Sequence, residues 1–251
     1  MRKKLLVGNW KMNKTMAEAK SFALAALPLV SYAESKNIDI GVCPTYLSLD
    51  IVKKTNPKLI IGAQNVDYHT HGAYTGEIAI NMLQEIDIDW ALVGHSERRS
   101  YYGETNASCN LKVKALLASA ITPLYCVGET LAEFEGGLTK SVVERQVREG
   151  LKDLTKEDAK KIVLAYEPVW SIGTGKNASQ AIAEEVCHFI RTILDDLFAE
   201  VSEEIRILYG GSVKPDNVRT YLSSPNIDGA LVGGASLQVD SFRALIENIA
   251  E

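Results

Sequence analysis

Cysteine is scarce in this sequence of 251 residues, and its four cysteines lie far apart. None of them forms a C-x-x-C pair, so neither a zinc ribbon nor a thioredoxin-like redox site is indicated. His69 and His71 have the spacing of a metal-binding pair, but only Asp67 lies near them as a further ligand. We therefore expect no metal site and reduced thiols at Cys43, Cys109, Cys126 and Cys187.

Long hydrophobic runs and an excess of positive charge are also missing. The longest nearly apolar stretch, Phe22–Val30, has nine residues and contains Pro28, whereas a membrane span needs about 20. The net charge of −5 and the pI near 5.5 lack the basic footprint of nucleic-acid-binding proteins. The apolar run after Lys4 is too short for a signal peptide. We expect a cytoplasmic protein that binds neither membrane nor nucleic acid.

The composition is that of a globular protein, with 46% hydrophobic and 24% charged residues. A disordered chain would need lower hydrophobicity and a higher net charge. No low-complexity segment and no linker rich in proline, glycine or serine divides the sequence. A single domain over residues 1–251 is therefore expected.

Short β-rich runs alternate with longer stretches along the chain. The stretches Thr15–Ala33, Asn106–Ala120 and Ser179–Phe198 carry apolar residues at spacings of three and four, which predict helices. The short runs fit strands that are buried on both faces. They are Leu5–Asn9, Asn37–Val42, Leu59–Ala63, Trp90–Gly94, Ile121–Val127, Ile162–Tyr166, Ile205–Tyr209 and Gly229–Val232.

Eight strands and their helices in about 250 residues match a single α/β domain of the (β/α)8 barrel type, a closed parallel sheet ringed by helices. An open, doubly wound sheet is the alternative, and it usually carries G-x-G-x-x-G after its first strand. Here the first strand ends in Gly8-Asn9-Trp10-Lys11, which lacks that pattern. The sequence therefore favours the barrel.

Polar side chains stand at several of the predicted strand ends, where the chemistry of such barrels is located. Glu167 follows a strand and precedes Pro168, which suits a positioned general base. His95 follows another strand and can act as a base or as a neutral electrophile. Lys11 fits either an ammonium that neutralises an anion or an amine that forms a Schiff base. The residues alone leave both possibilities open.

Glycine pairs end the last two predicted strands, at Gly210-Gly211 and Gly233-Gly234. Without a Cβ, the backbone can approach a phosphate group closely. The N–H groups at the start of a following helix attract anions. Together with Gly173-Thr174-Gly175, these pairs predict a phosphate site.

The segment after Glu167 combines apolar side chains with glycines. An exposed cluster of this kind is costly in water unless it closes onto another surface. A hinged lid that excludes water from the site explains both features. The predicted lid consists of Pro168, Val169, Trp170, Ser171, Ile172, Gly173, Thr174, Gly175 and Lys176.

Taken together and in order, these segments resemble the triosephosphate isomerase family over essentially the whole chain. The resemblance rests on residues 8–13, 62–65, 72–77, 93–99, 165–170, 172–176, 209–213 and 231–237. It implies the interconversion of D-glyceraldehyde 3-phosphate and dihydroxyacetone phosphate in glycolysis and gluconeogenesis, without metal or cofactor. Ser171 stands where the family usually has alanine, and Asn177 follows the lid at a variable position; both are small or polar differences within a loop.

The resemblance also implies roles for individual residues. Glu167 looks like the base that moves a proton between two carbons, and His95 like the neutral electrophile that polarises the carbonyl. Lys11 looks like the cation beside the enediolate, with Glu97 as its acidic partner. Substrate binding falls to Asn9 and Lys11 and, through the N–H groups that hold the phosphate, to Gly173, Ser212, Gly233 and Gly234.

The long segment Asp67–Glu77 has no strong periodicity, and long loops in compact domains are usually functional. In the family this loop inserts into a second subunit, which implies a homodimer in which Thr75 reaches the partner's site near Asn9 and Lys11. Two other functions remain as alternatives. One is a Schiff-base aldolase with Lys11 as the nucleophile, and the other is a phosphosugar-binding homologue without catalysis.

Overall fold

A computed structural model describes residues 2–172 and 178–250 of the chain. Its strands are short and parallel. Each begins and ends within one residue of its predicted range. The strands are β1 (Lys4–Asn9), β2 (Ile38–Cys43), β3 (Ile60–Ala63), β4 (Trp90–Val93), β5 (Thr122–Val127), β6 (Val163–Tyr166), β7 (Arg206–Tyr209) and β8 (Gly229–Val232).

The eight strands form a closed barrel in the order of the sequence. Closure occurs where β1 pairs with β8, with Leu5 opposite Gly229 and Leu6 opposite Ala230. The predicted (β/α)8 barrel is thus confirmed, and the open doubly wound sheet is excluded. Strand β4 ends one residue earlier than predicted because Gly94 has a φ of +73°, outside the extended region.

Helices follow the strands and cover the outside of the barrel. They are α1 (Met16–Ala25), α2 (Leu27–Ser35), α3 (Leu49–Thr55), α4 (Ile80–Gln84), α5 (Ser96–Tyr102), α6 (Asn106–Ala118), α7 (Leu131–Glu135), α8 (Thr139–Gly150), α9 (Lys156–Ala159), α10 (Gln180–Phe198), α11 (Val218–Leu222) and α12 (Val239–Ala250). In the described ranges, no helix is long and apolar enough to cross a membrane.

One predicted helix is divided in the structure. Residues 15–33 form α1 and α2, which meet at Ala26 rather than running as one helix. Pro28, in the first turn of α2, has no N–H to donate to the carbonyl four residues earlier, so a continuous helix would lose a hydrogen bond there. Apolar spacing alone did not reveal this break.

The core has two layers, because successive side chains of a strand point to opposite faces. Leu5 and Val7 of β1 lie in an interior cluster with Leu124, Cys126 and other residues of the barrel. Leu6, between them, belongs to the larger cluster that packs the strands against the helices. With both faces buried, the strands can present polar groups only at their ends, and this places the candidate site at the rim.

Candidate active site

Three of the predicted site residues extend from different strands to the same rim of the barrel. Asn9 ends β1, His95 follows β4 and Glu167 follows β6. Together with Lys11, they line a cavity of about 720 Å³ whose wall includes the glycine pairs after β7 and β8. The structure thus brings residues far apart in the sequence around one space, large enough for a small ligand.

Glu167 is 2% exposed, and both of its carboxylate oxygens are engaged. Oε2 accepts the backbone N–H of Ser96 at 2.9 Å, and Oε1 lies 3.0 Å from His95 Nε2. The backbone next to Glu167 is equally confined, because a Cβ at Gly128 would lie 1.8 Å from the Glu167 carbonyl oxygen. The carboxylate therefore occupies a defined position at the edge of the cavity.

His95 is oriented by the helix that it begins. His95 is the N-cap residue of α5, and its Nδ1 accepts the backbone N–H of Glu97 at 3.2 Å. The proton of a neutral ring therefore sits on Nε2, which donates to Glu167. The Glu97 N–H occupies the place of a second ring proton at Nδ1 and therefore opposes protonation of the ring.

Burial and neighbouring charges shift the pKa values of His95 and Glu167 in opposite directions. Burial lowers the pKa of His95, but the Glu167 carboxylate raises it above its ordinary value, so the resting pair favours a proton on the ring. With the carboxylate away from the ring, burial favours the neutral imidazole that the proposed reaction uses. Burial raises the pKa of Glu167, but His95 and the Ser96 N–H lower it below its ordinary value. Glu167 is therefore ionised, as a general base must be.

Lys11 lines the same cavity, and its ammonium group forms an ion pair. Its Nζ is 2.6 Å from a carboxylate oxygen of Glu97. Its backbone has a φ of +51°, and the N–H is held by Asn9 Oδ1 at 3.0 Å while Gln64 donates to its carbonyl at 2.8 Å. These bonds fix a strained backbone conformation, which is typical of functional sites.

The predicted phosphate site is partly described. Ser212, Gly233 and Gly234 line the large cavity, and the Lys11 side chain passes 3.7 Å from where a Cβ of Gly233 would be. A cation thus lies beside the glycine backbone. Gly173 and the lid residues Thr174, Gly175 and Lys176 fall outside the described residues, as does Asn177.

The first half of the predicted lid is described, and it packs on the rim. Trp170 and Ser171 are buried in a 3-10 turn, Val169–Ser171, and Ile172 lines the cavity. The Trp170 indole N–H donates to Glu129 Oε1 at 2.8 Å. Glu129 is fully buried, and burial raises its pKa.

Sequence reasoning missed two contributors to this arrangement. The Ser96 N–H that holds Glu167 is a backbone group and leaves no signal in residue type. Glu129, in contrast, lies two residues beyond β5, so inspection of that strand end would have found it.

The segment Asp67–Glu77 does not extend into the large cavity. Thr75 is exposed and belongs to neither cavity that Asn9 and Lys11 line. The segment has internal order, since the His69 ring stacks on the Tyr74 ring with centroids 3.8 Å apart, and His69 Nδ1 lies 2.7 Å from Asp67 Oδ1.

Within residues 2–172 and 178–250, no three histidine, cysteine or acidic side chains form a group that could hold a metal ion.

Known proteins are similar to this chain over nearly its whole length. The family model described as triosephosphate isomerase matches residues 4–249. The triosephosphate isomerase of Endomicrobium trichonymphae is 50% identical over 251 residues, and that of Carboxydothermus hydrogenoformans is 48% identical over 250 residues. Each alignment covers 98% of this chain and 99% of the relative. The chain therefore belongs to the triosephosphate isomerase family.

Proposed function

We propose that the protein interconverts D-glyceraldehyde 3-phosphate and dihydroxyacetone phosphate, as a step of glycolysis and gluconeogenesis. The observation that carries the proposal is the buried pair of Glu167 and His95, 3.0 Å apart at the cavity that Lys11 also lines. A base, a neutral hydrogen-bond donor and a cation around one space suit the removal of a proton next to a carbonyl group.

In the proposed reaction, Glu167 takes the proton from the carbon next to the carbonyl, and the electron pair of that C–H bond forms an enediolate. His95 Nε2–H and the Lys11 ammonium stabilise the oxygen on which negative charge develops. Glu167 then returns the proton to the former carbonyl carbon. His95 passes the hydroxyl proton of the enediolate from the oxygen of the first carbon to the former carbonyl oxygen, so that the carbonyl group moves by one carbon. The ion pair of Lys11 with Glu97 supports the ammonium form and gives no support to a Schiff base.

Glu167 must release the Ser96 N–H before its oxygen can reach a substrate carbon. We propose that Asn9, Ser212, Gly233 and Gly234, with Gly173 of the lid, hold the substrate and its phosphate. The remote phosphate then supplies binding energy for this rearrangement. Closure of the lid, Pro168–Lys176, excludes water from the enediolate.

We further propose a homodimer. Support comes from a second cavity of about 300 Å³ beside the site, lined by Asn9, Lys11 and Glu97. Met12 on its wall is 93% exposed, and Tyr102 is 69% exposed. Large apolar surface of this kind marks interaction sites, and the segment Asp67–Glu77 with Thr75 is the proposed insert from the partner.

Two further proposals concern the chain as a whole. We propose that it works as a single barrel domain, since strands from its two ends pair directly as β1 and β8. The cytoplasm is its proposed location, because both the pathway and its buried free cysteines suit a reducing compartment.

The test is isomerisation of D-glyceraldehyde 3-phosphate by the purified protein, with EDTA present and no added cofactor. Rapid formation of dihydroxyacetone phosphate is expected. A folded protein that binds phosphosugars without turnover would instead support a binding protein. Trapping of a substrate adduct on Lys11 by borohydride would support an aldolase.

A further inference from the structure

A short helix beside the site contacts the segment that follows Glu167. Helix α7 buries none of its own residues, and it touches the turn Val169–Ser171. Its Phe134 stacks on Trp170 of that turn, with ring centroids 4.2 Å apart and an interplanar angle of 25°. The stack joins α7 to the segment that carries Glu167.

Glu129 holds the same indole ring at its edge. One carboxylate oxygen accepts the Trp170 N–H at 2.8 Å and the Tyr166 hydroxyl at 3.1 Å. Phe134 fixes the face of the ring and Glu129 fixes its edge. Both belong to the stretch of chain between β5 and α8, so one neighbouring segment supplies both of these contacts.

This position of Trp170 accompanies the position of Glu167 on the Ser96 N–H. Only Pro168 and Val169 separate the two residues, and proline fixes one backbone dihedral between them. The turn is closed by the Ser171 N–H, which donates to the Pro168 carbonyl at 2.8 Å. A displacement of this turn is therefore transmitted to the backbone of Glu167 through two residues only, and this short link is the basis for coupling Trp170 to Glu167.

We infer that Phe134 is a positioning residue, whose stack on Trp170 stabilises the resting conformation of Pro168–Ile172 and thereby weakens the binding of phosphorylated substrate. The inference rests on the proposed function, which requires Glu167 to leave that conformation. A ligand shifts a conformational equilibrium by its differential affinity for the two states. Loss of an aromatic stack changes such an equilibrium by about two- to tenfold.

The test uses Phe134→Ala and glycerol 3-phosphate, which has three carbons and a phosphate but no carbonyl to react. Its dissociation constant, measured by tryptophan fluorescence, is expected to fall by about two- to tenfold. The KM for triose phosphate falls by a similar factor, whereas kcat does not increase. A residue that only stabilises the fold would lower the melting temperature and leave the dissociation constant and KM unchanged.

Two control variants separate the stack from the helix. Phe134→Tyr keeps the ring and is expected to bind like the wild type. Leu131→Ala removes an exposed side chain from the same helix, and it should also leave binding unchanged. An unchanged or weaker affinity in folded Phe134→Ala overturns the inference, as does an equal gain in Leu131→Ala. Absence of isomerisation by the wild type would instead overturn the proposed function.

Discussion

The two ends of the barrel hold their buried charges in opposite ways. At the carboxyl ends of the strands, Glu167 is bound by His95 and by the Ser96 N–H, bonds that the proposed reaction must exchange. At the amino ends, Asp228 accepts Arg2 Nε at 2.7 Å and Arg191 at 2.9 Å. Glu167 exchanges its hydrogen-bond partners in the proposed reaction. Asp228 takes no part in that reaction and can keep its ion pairs throughout.

A second group of charges lies at the amino ends of the strands. Asp39 of β2 lies 2.6 Å from Lys3 and 2.6 Å from Arg206 of β7, which joins two strands that do not pair with each other. Asp228 also accepts the Ile207 N–H at 2.9 Å, so it anchors β7 as well. The amino-end charges thus form two groups, one of Arg2, Arg191 and Asp228 and one of Lys3, Asp39 and Arg206. We therefore predict that substitutions at the carboxyl ends of the strands impair turnover, whereas substitutions at the amino ends lower the free energy of unfolding.

Glu167→Gln should have the largest effect on turnover. The amide keeps the shape of the side chain but cannot take a proton, so kcat should fall by about 10²- to 10⁴-fold. The thermal midpoint should stay within a few degrees of the wild type, by circular dichroism. Glu167→Asp keeps a base but withdraws it by about a bond length, and a loss of about 100-fold is expected. Wild-type turnover in Glu167→Gln would exclude Glu167 as the base.

Lys11→Met should impair binding and catalysis together, because the phosphate and the enediolate are both anionic. Removal of such a group lowers kcat by about 10²- to 10³-fold, and a rise in KM is expected beside it in steady-state assays. The matched control is Lys214→Met, which removes the same charge from another part of the cavity wall. A loss in Lys214→Met as large as that in Lys11→Met would contradict the proposed role.

Asp228→Ala should destabilise the fold and leave the chemistry intact. It leaves Arg191 buried without its carboxylate, and loss of one partner of a buried ion pair costs about 3–5 kcal/mol. Urea unfolding measures this loss, and kcat of the folded fraction should be unchanged. Glu203→Ala removes an exposed partner of Arg2 and should cost about 1 kcal/mol or less. Equal losses in the two variants would remove the distinction between buried and exposed pairs.

Asp39→Asn should have the smallest effect, and one that depends on pH. Burial raises the pKa of Asp39, but Lys3 and Arg206 lower it below its ordinary value. Because the folded pKa is below the unfolded one, the carboxylate stabilises the fold above about pH 4. This stabilisation is lost as the pH falls through the folded pKa. Wild type and variant should therefore differ by about 1 kcal/mol or less at pH 7 and converge in acid.

Urea unfolding at pH 7 and pH 3 measures this difference. Asp50→Asn serves as the control, since its carboxylate pairs with Lys54 within one exposed helical turn. A difference between wild type and Asp39→Asn that grows on acidification would reverse the assigned direction of the Asp39 pKa.

Much of the fold was predictable because its signals are local. Every strand was found to within one residue, since buried parallel strands are short apolar runs and the helices have their own period. The exceptions are backbone effects of single residues. Asn37 lies outside β2 with a φ of +58°, and Pro28 divides the first helical stretch.

The candidate site was predictable as a set of residues and not as an arrangement. Parallel strands bring their carboxyl ends to one rim, so polar residues at those ends were expected to meet. The resemblance supplied their roles, which stay predictions until the variants are measured. The hydrogen bond of Trp170 to Glu129 and its ring stack with Phe134 were not predicted, because neither partner belongs to a motif that indicates such a contact.

The sequence by itself determined the barrel, the strand-end residues and the family, because periodicity and motifs are carried by neighbouring residues. The tertiary structure alone decided which groups hold one another. The Ser96 N–H meets Glu167 across 71 residues, and Trp170 meets Glu129 across 41. Such contacts depend on barrel closure and on glycines that admit the backbone. Hydrogen-bond geometry in three dimensions, which no residue pattern encodes, therefore sets the resting position of the proposed base.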